Sequence, residues 1–372
     1  MSRRTLLILI GFFSLGILAI GGYLVFFGKT KETTAPQPPG ILERFARRAT
    51  PESTPPPKLQ KLSQTPVFAP TLVGEKIRFF GDDDRIYEMN LDGTGQEPLL
   101  ANVLPNVLKA VWSPDGNVGL FLLADPETIP RWHRYERADG RVIPLDFAIR
   151  EMAYAPDGAL GWIEEGRSSG ESTIKVATSS TAEARTLFTL RSTRLRLLWS
   201  NTSTLFLEEP PSGFTPSTLH RLGTDGTVAR PLRNIFGLLA APASDGTIAY
   251  SSTNPSGKEL HVNILLQGES TPRATNFETI AEKCAWAKSG KTLYCAVPTS
   301  LPGERTYPDD LFKGVVATQD RFFSYNRETG QEAFFYEPTE AIDATQLFLD
   351  PDEQYLYFTN KAGGHLWRLR LQ

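Results

Sequence analysis

The stretch Trp-Ser-Pro-Asp-Gly at positions 112–116 decides the fold, because it recurs along the chain at a regular interval. Tyr-Ala-Pro-Asp-Gly follows at 154–158, and less regular copies end at positions 203, 246, 290 and 353. The first four steps between the ends of these copies are 42, 45, 43 and 44 residues. A period of about 40–45 residues is the length of one four-stranded propeller blade. The repeat therefore predicts an all-β chain folded as a β-propeller.

Each repeat predicts four strands, called A to D from the axis outwards. Around Gly116, β-branched and aromatic residues predict strands at 107–112, 118–123, 132–136 and 142–145. We count seven such units, and the last stops after its third strand because the chain ends. A spare strand-like segment, residues 59–67, precedes the first unit. We expect this N-terminal segment to close the last blade, which removes a free sheet edge. The prediction is a seven-bladed β-propeller over residues 58–372.

The N-terminal region predicts a membrane anchor. Residues 5–27 carry no charged side chain and are long enough to span a bilayer as a helix. Two arginines favour a cytoplasmic location for the tail, residues 1–4. A cleaved signal peptide is the alternative, although the run is long for one. Residues 28–57 are rich in proline and are predicted to form a semi-rigid linker.

These features predict a single-pass membrane protein that has a cytoplasmic N-terminus and an extracytoplasmic propeller. The formal net charge is −3, and lysine and arginine form no cluster of the kind that nucleic-acid-binding domains carry. We therefore expect no nucleic-acid partner.

The repeat at 112–116, followed by an apolar strand, resembles that of TolB-type and WD-repeat-like bacterial propellers. The resemblance covers essentially everything after residue 58, and it implies the propeller architecture. The N-terminal domain that accompanies TolB has no counterpart in this chain. The lipoprotein partner that TolB binds is therefore not implied for this protein.

Charged residues recur at the position seven residues before the A–B turn. Four of the six copies carry one there: Lys109, Glu151, Arg196 and Lys283. Side chains alternate along a strand, and the next position is mostly apolar, so the charged side chains should face the axial channel. Two interpretations are open. The channel mouth binds a small anionic or peptide ligand, or it has an ordinary polar lining with compensating pairs such as Lys109–Glu151.

The sixth unit breaks the period, because its step to the next turn is 63 residues. The extra segment, residues 298–320, falls between strands B and C and belongs to the face that also carries the D–A loops. Long loops in compact domains are often functional. One interpretation is that it binds a partner or ligand, and the other is that it only covers the channel. Its candidate contact residues are Tyr307, Asp309, Asp310, Leu311 and Phe312.

Cys284 and Cys295 are the only cysteines, and they flank the turn at Ser289-Gly290. A hairpin symmetric about this turn places them opposite each other. A disulfide is permitted outside the cytoplasm and would add modest stability. The alternative is a pair of reduced thiols in the core.

No catalytic motif stands out, and the four histidines fall on the third strands of different units, which disfavours a metal site. We therefore expect no cofactor and no enzyme. The predicted function is a scaffold that holds a protein, peptide or glycan partner in the cell envelope. One alternative is a hydrolase or lyase whose carboxylates lie at the channel mouth, with Glu151, Asp309, Asp310 and Asp343 as candidates. Another is a structural subunit of a membrane complex.

Overall fold

The computed structural model describes residues 57–371 except 101, 125–127, 167, 169, 179–183 and 193. The predicted tail and membrane helix, and all but the last residue of the predicted linker, lie outside the described residues. The described part is all-β and has the architecture of a propeller, with antiparallel sheets in which strands adjacent in sequence pair. The first strand, β1, is Leu59–Lys61.

Five of the six sheets have four strands, and four of these five are formed by consecutive strands. The bounds of those four sheets are β2 Val67–Val73, β3 Lys76–Gly81, β4 Ile86–Asn90 and β5 Glu97–Pro98; β6 Val107–Trp112, β7 Val118–Leu123, β8 Arg131–Glu136 and β9 Arg141–Pro144; β10 Ile149–Tyr154, β11 Leu160–Glu165, β12 Ser172–Ala177 and β13 Arg185–Leu190; and β21 Cys284–Trp286, β22 Thr292–Pro298, β23 Asp320–Asn326 and β24 Gln331–Tyr336.

The sixth sheet has seven strands because one long strand passes from one unit to the next. Its strands are β14 Arg196–Trp199, β15 Thr204–Glu208, β16 Ser217–Gly223, β17 Val228–Pro242, β18 Ile248–Thr253, β19 His261–Leu265 and β20 Arg273–Ala274. Residues of β17 up to Ile235 pair with β16, whereas those from Phe236 pair with β18. Gly237, with φ of +67°, lies where the strand changes partner.

The N-terminal strand closes the last sheet, which confirms that part of the prediction. This sheet consists of β25 Ala344–Leu349, β26 Tyr355–Asn360, β27 His365–Arg370 and β1. Leu59 pairs with Leu369 and Lys61 with Trp367. The closing strand is only three residues long, because the chain then turns into β2, where Val67 begins a new sheet.

The turn at 113–116 shows why the repeated motif has its composition. Asp115 Oδ1 accepts hydrogen bonds from Ser113 Oγ at 2.6 Å and from the Asn117 amide at 3.0 Å. Gly116 has φ of +70°, and a Cβ there would lie 2.3 Å from Val73 of the preceding sheet. Only glycine suits both the left-handed backbone and this close approach. The motif therefore makes a turn and packs one sheet against the next.

Helices are short in the described part of the chain. A 3-10 turn covers Ala281–Lys283, and α1 covers Asp309–Phe312 within the predicted insertion. Among the residues described, no helix has the length and apolar character needed to cross a membrane.

Candidate functional site

Two adjoining cavities lie at the end of the channel where the innermost strands begin. The larger has a volume of about 750 Å³ and the smaller about 520 Å³. Arg196, Glu282 and Phe312 line both cavities. All six positions that lie seven residues before a repeated turn line one cavity or the other: Lys109, Glu151, Arg196, Leu239, Lys283 and Gln346. We call this region the channel mouth.

Arg196 joins two carboxylates at the boundary between the cavities. Its Nη2 lies 2.7 Å from Glu208 Oε2, and its Nη1 donates to Glu282 Oε1. Glu208 also accepts a hydrogen bond from the backbone N–H of Ala240. The side chain of Glu208 is only 1% exposed. Burial raises the pKa of Glu208 to about 7, although Arg196 opposes this shift. We call Arg196, Glu208 and Glu282 the Arg196 cluster, and the pKa of its Glu208 carboxyl lies near neutral pH.

Lys109 and Glu151 form an ion pair at the smaller cavity, as the charge pattern suggested for the channel lining. Arg150 and Arg194 line the same cavity. Arg150 also forms an ion pair with Glu165. The smaller cavity thus brings together basic side chains from β6, β10, β14 and the loop before β14, with acidic side chains between them.

Lys283 lies in the wall of the larger cavity, but its ammonium group points into the protein. Its Nζ lies 2.7 Å from Asp320 Oδ2, 2.8 Å from Asp343 Oδ1 and 2.7 Å from Thr318 Oγ1. Burial raises the pKa of Asp320. Although burial opposes it, Lys283 holds the pKa of Asp343 below its usual value. We call these four residues the Lys283 cluster. Its ammonium group is therefore saturated with buried partners.

The insertion, residues 298–320, is anchored to two neighbouring loops. The Tyr307 amide donates to the Gly257 carbonyl at 2.8 Å, and Asp309 Oδ2 accepts the Gly213 amide at 2.7 Å. Asp310 accepts the Thr306 amide at 3.0 Å, so it stabilises the insertion's own turn. Both aspartates therefore hold the insertion in place.

The end of α1 reaches the channel mouth. Leu311 is buried in a cluster with Leu239, Ile280 and Tyr307, and its carbonyl accepts Lys361 Nζ at 2.9 Å. Phe312 is 51% exposed and borders both cavities. The insertion consequently covers part of the mouth and presents one exposed aromatic ring there.

Cys284 and Cys295 are cross-strand neighbours in β21 and β22, and they form a disulfide. The register inferred from the turn between them is therefore confirmed. Both cysteines are buried in the core between neighbouring sheets.

The structure separates the four carboxylates that the enzyme hypothesis named. Glu151 and Asp343 line different cavities, whereas Asp309 and Asp310 hold the insertion. Glu208 and Glu282 do not lie at the repeated position seven residues before a turn, and the repeat therefore did not predict them. A hairpin symmetric about the turn at 201–203 pairs Glu208 with Arg196. Glu208 could therefore have been predicted from the sequence in the same way as the pairing of Cys284 with Cys295.

No family model and no curated protein matches this sequence. Among solved structures, an oligogalacturonate lyase in complex with manganese matches with a TM-score of 0.58 at 12% identity, over 84% of this chain and 93% of that one. The propeller domain of the trilobed protease from Pyrococcus furiosus matches with a TM-score of 0.54 at 13% identity, over 82% of this chain and 95% of that one. A prolyl endopeptidase matches with a TM-score of 0.58 at 14% identity, over 83% of this chain and 47% of that one.

At these identities the matches show the fold alone, which is the β-propeller. The prediction that the chain is not an enzyme is nevertheless wrong, because the solved structures that match this fold include a lyase and a prolyl endopeptidase. Within the described ranges, no group of three or more His, Cys, Asp or Glu could hold a metal ion. The described residues therefore offer no such ligand set for a manganese ion of the kind that the lyase binds.

Proposed function

We propose that this protein is a hydrolase or lyase that acts at the channel mouth, with Glu208 as its general acid–base. The observation that carries the proposal is a buried carboxyl in the lining of the smaller cavity, whose pKa is raised to about 7. General acid–base catalysis is most efficient when the catalytic pKa lies near the working pH. Glu282 and Glu151 are the second carboxylates that such a reaction would use.

The basic side chains of the smaller cavity are where an anionic substrate would bind, beside four glutamates that line the same cavity: Glu151, Glu208, Glu209 and Glu282. Lys109, Arg150, Arg194 and Arg196 line it, and fixed cations stabilise negative charge that develops next to a carboxylate substrate. The exposed ring of Phe312 at its edge would pack against the apolar face of a sugar. The oligogalacturonate lyase of similar fold supports an acidic oligosaccharide as the substrate class to test first.

The test incubates the full chain with oligogalacturonates and measures unsaturated ends, which a lyase produces, and reducing ends, which either reaction produces. Glu208→Gln should lower the rate by about 10²-fold or more, as loss of a general acid–base does. Glu97→Gln, at an exposed position on an outer strand, is the matched control and should retain the rate. A Glu208→Gln variant that is folded and fully active would exclude Glu208 from this role.

A partner-binding scaffold is the second candidate, and the distribution of exposed apolar side chains favours it. Of eleven large hydrophobic residues that are exposed in the described chain, eight lie on or beside the face of the channel mouth: Phe68, Val103, Leu108, Ile129, Phe147, Phe214, Phe312 and Val315. Exposed apolar groups concentrated on one face mark interaction surfaces more often than scattered ones do.

The scaffold proposal includes the expectations about location. It places a seven-bladed propeller outside the cytoplasm, anchored by residues 5–27, with a protein, peptide or glycan partner on the insertion. Counting the seven-stranded sheet as two units joined through β17 supports the number of blades. Because Leu59 enters at the end of β27 opposite the channel mouth, the linker would leave from the other face.

Crosslinking in intact cells tests the scaffold proposal. Phe312→Ser should remove crosslinked partners, whereas Phe334→Ser should not, since Phe334 is equally exposed at 54% but lies on the outer strand β24. Recovery of the same partners after deletion of 299–319 would exclude the insertion as the binding surface. A reporter fused after residue 30 that is active in the cytoplasm would exclude the proposed topology.

A further inference from the structure

The Lys283 cluster has the composition of a site that forms a covalent crosslink. Lys283 is 3% exposed, Asp320 0% and Asp343 4%. Two carboxylates face a single ammonium group, and neither of them contacts Arg196 or belongs to the proposed catalytic groups. We propose that Lys283 and Asp320 react to form an intramolecular isopeptide bond, with Asp343 as the base.

The distances favour Asp320 as the electrophile. Lys283 Nζ donates to both carboxyl oxygens of Asp320, at 3.0 Å to Oδ1 and 2.7 Å to Oδ2. On Asp343 it donates to Oδ1, at 2.8 Å. A nitrogen that close to both oxygens of a carboxyl lies roughly 3 Å from the carbon between them, the separation that near-attack geometries require. The reaction is intramolecular at this separation, so no entropy is lost in bringing the two groups together.

The environments of the two aspartates divide the acid and base roles. Burial raises the pKa of Asp320, which favours the neutral carboxylic acid that an amine can attack. Lys283 keeps the pKa of Asp343 low despite its burial, so Asp343 remains an ionised acceptor for a proton. Two neighbouring carboxyls whose pKa values move apart indicate which one is the acid and which the base.

The cluster is also held rigidly. The backbone N–H of Ala344 donates to Asp320 Oδ2 at 2.7 Å, and Thr318 Oγ1 lies 2.8 Å from Asp320 Oδ1 and 2.9 Å from Asp343 Oδ1. Asn360 Oδ1 accepts the Asp343 amide at 3.0 Å. Asp320 itself has no exposed surface, which keeps bulk water away from its carboxyl carbon.

The reaction balances without any further reactant. Asp343 takes one proton from the Lys283 ammonium, and the amine nitrogen bonds to Cγ of protonated Asp320. A second proton leaves the nitrogen with the Asp320 hydroxyl as water, which breaks the C–O bond. The products are an amide, one water and a protonated Asp343, which returns its proton to solvent. Thr318 is a positioning residue that connects the two carboxyls.

The test is the intact mass of the full chain after reduction of the disulfide. We expect a mass lower than the sequence mass by one water. Trypsin should then fail to cleave after Lys283 and should yield one species that joins residues 274–288 to 314–321. Lys283→Arg and Asp343→Asn should have no mass deficit from a crosslink. Lys109→Arg, in the more exposed pair with Glu151, is the matched control and should keep the deficit.

The wild-type digest alone decides the outcome, so a variant that fails to fold does not affect it. Separate peptides 274–283 and 314–321 from folded protein would overturn the proposal and leave the cluster as a buried ion pair. A species that joins Lys283 to residues 328–361 would overturn the assignment of Asp320, because Asp343 lies in that peptide. Neither result depends on the proposed enzymatic activity.

Discussion

Leu59 lies directly across from Leu369, so the beginning of the propeller is paired with its end. Leu59 is buried against Leu356, Phe358 and Leu369 in the core of the last sheet. Its burial therefore stabilises the joint that closes the ring.

Leu59→Ala should lower the free energy of unfolding by about 2–5 kcal/mol, the usual cost of truncating a buried leucine. Urea denaturation followed by tryptophan fluorescence measures this value. Lys61→Ala, at an exposed position of the same strand, is the control and should change it by less than about 0.5 kcal/mol. If Leu59→Ala lowers the free energy of unfolding as little as Lys61→Ala does, the burial of Leu59 contributes little to closure of the ring.

The disulfide between Cys284 and Cys295 should stabilise the fold modestly, because the residues are only 11 apart in sequence. The chain-entropy model gives about 2–3 kcal/mol for a loop of this length. A reducing agent should lower the unfolding midpoint of the wild type. The double variant Cys284→Ala/Cys295→Ala should start with a low midpoint and be insensitive to the reductant. A wild-type midpoint that reductant does not change would contradict this.

The parts of the fold that are set by local chemistry could be predicted from the sequence. The turn at 113–116 depends on residues next to one another, and the strands at 107–112 and 118–123 have the predicted bounds. The periodic position of Lys109, Glu151 and Arg196 also identified side chains of the channel mouth. Such features repeat, so one copy predicts the others.

The contacts that cross the channel could not be predicted in this way. Arg196 reaches Glu282 across 86 residues, and Asp320 reaches Lys283 only because the insertion returns the chain to β23. Neither distance follows from a hairpin or from the repeat. The pKa of Glu208 also depends on burial by side chains of several strands, which the position of one glutamate in the sequence does not reveal.

The close approach between the insertion and its neighbours gives a further prediction. A Cβ at Gly213 would lie 2.5 Å from the Tyr307 carbonyl oxygen and 2.8 Å from Gly257 Cα. Gly213→Ala should therefore push the insertion away, at a cost of about 1–3 kcal/mol. Hydrogen exchange of residues 304–316 should become faster. Gly303→Ala, which has open space around the added Cβ, is the control within the same insertion and should leave the exchange unchanged.

The pH dependence of stability should reveal Glu208. Its pKa in the folded protein is about 7, above the usual value of 4.5, so folding favours the protonated form. Its contribution to stability is fully present below about pH 4.5 and is lost as the pH rises through 7. The difference in unfolding free energy between the wild type and Glu208→Gln should therefore fall with rising pH across this window.

Urea denaturation of both proteins at several pH values between about 4.5 and 8 measures this difference. Glu97→Gln, at an exposed carboxyl of an outer strand, should follow the wild type throughout. If the wild type instead gains stability over Glu208→Gln as the pH rises, Glu208 is ionised in the folded state, and Arg196 prevails over burial. The proposed general acid–base role would then lose its physical basis, because a carboxyl ionised well below neutral pH cannot act as the acid near pH 7.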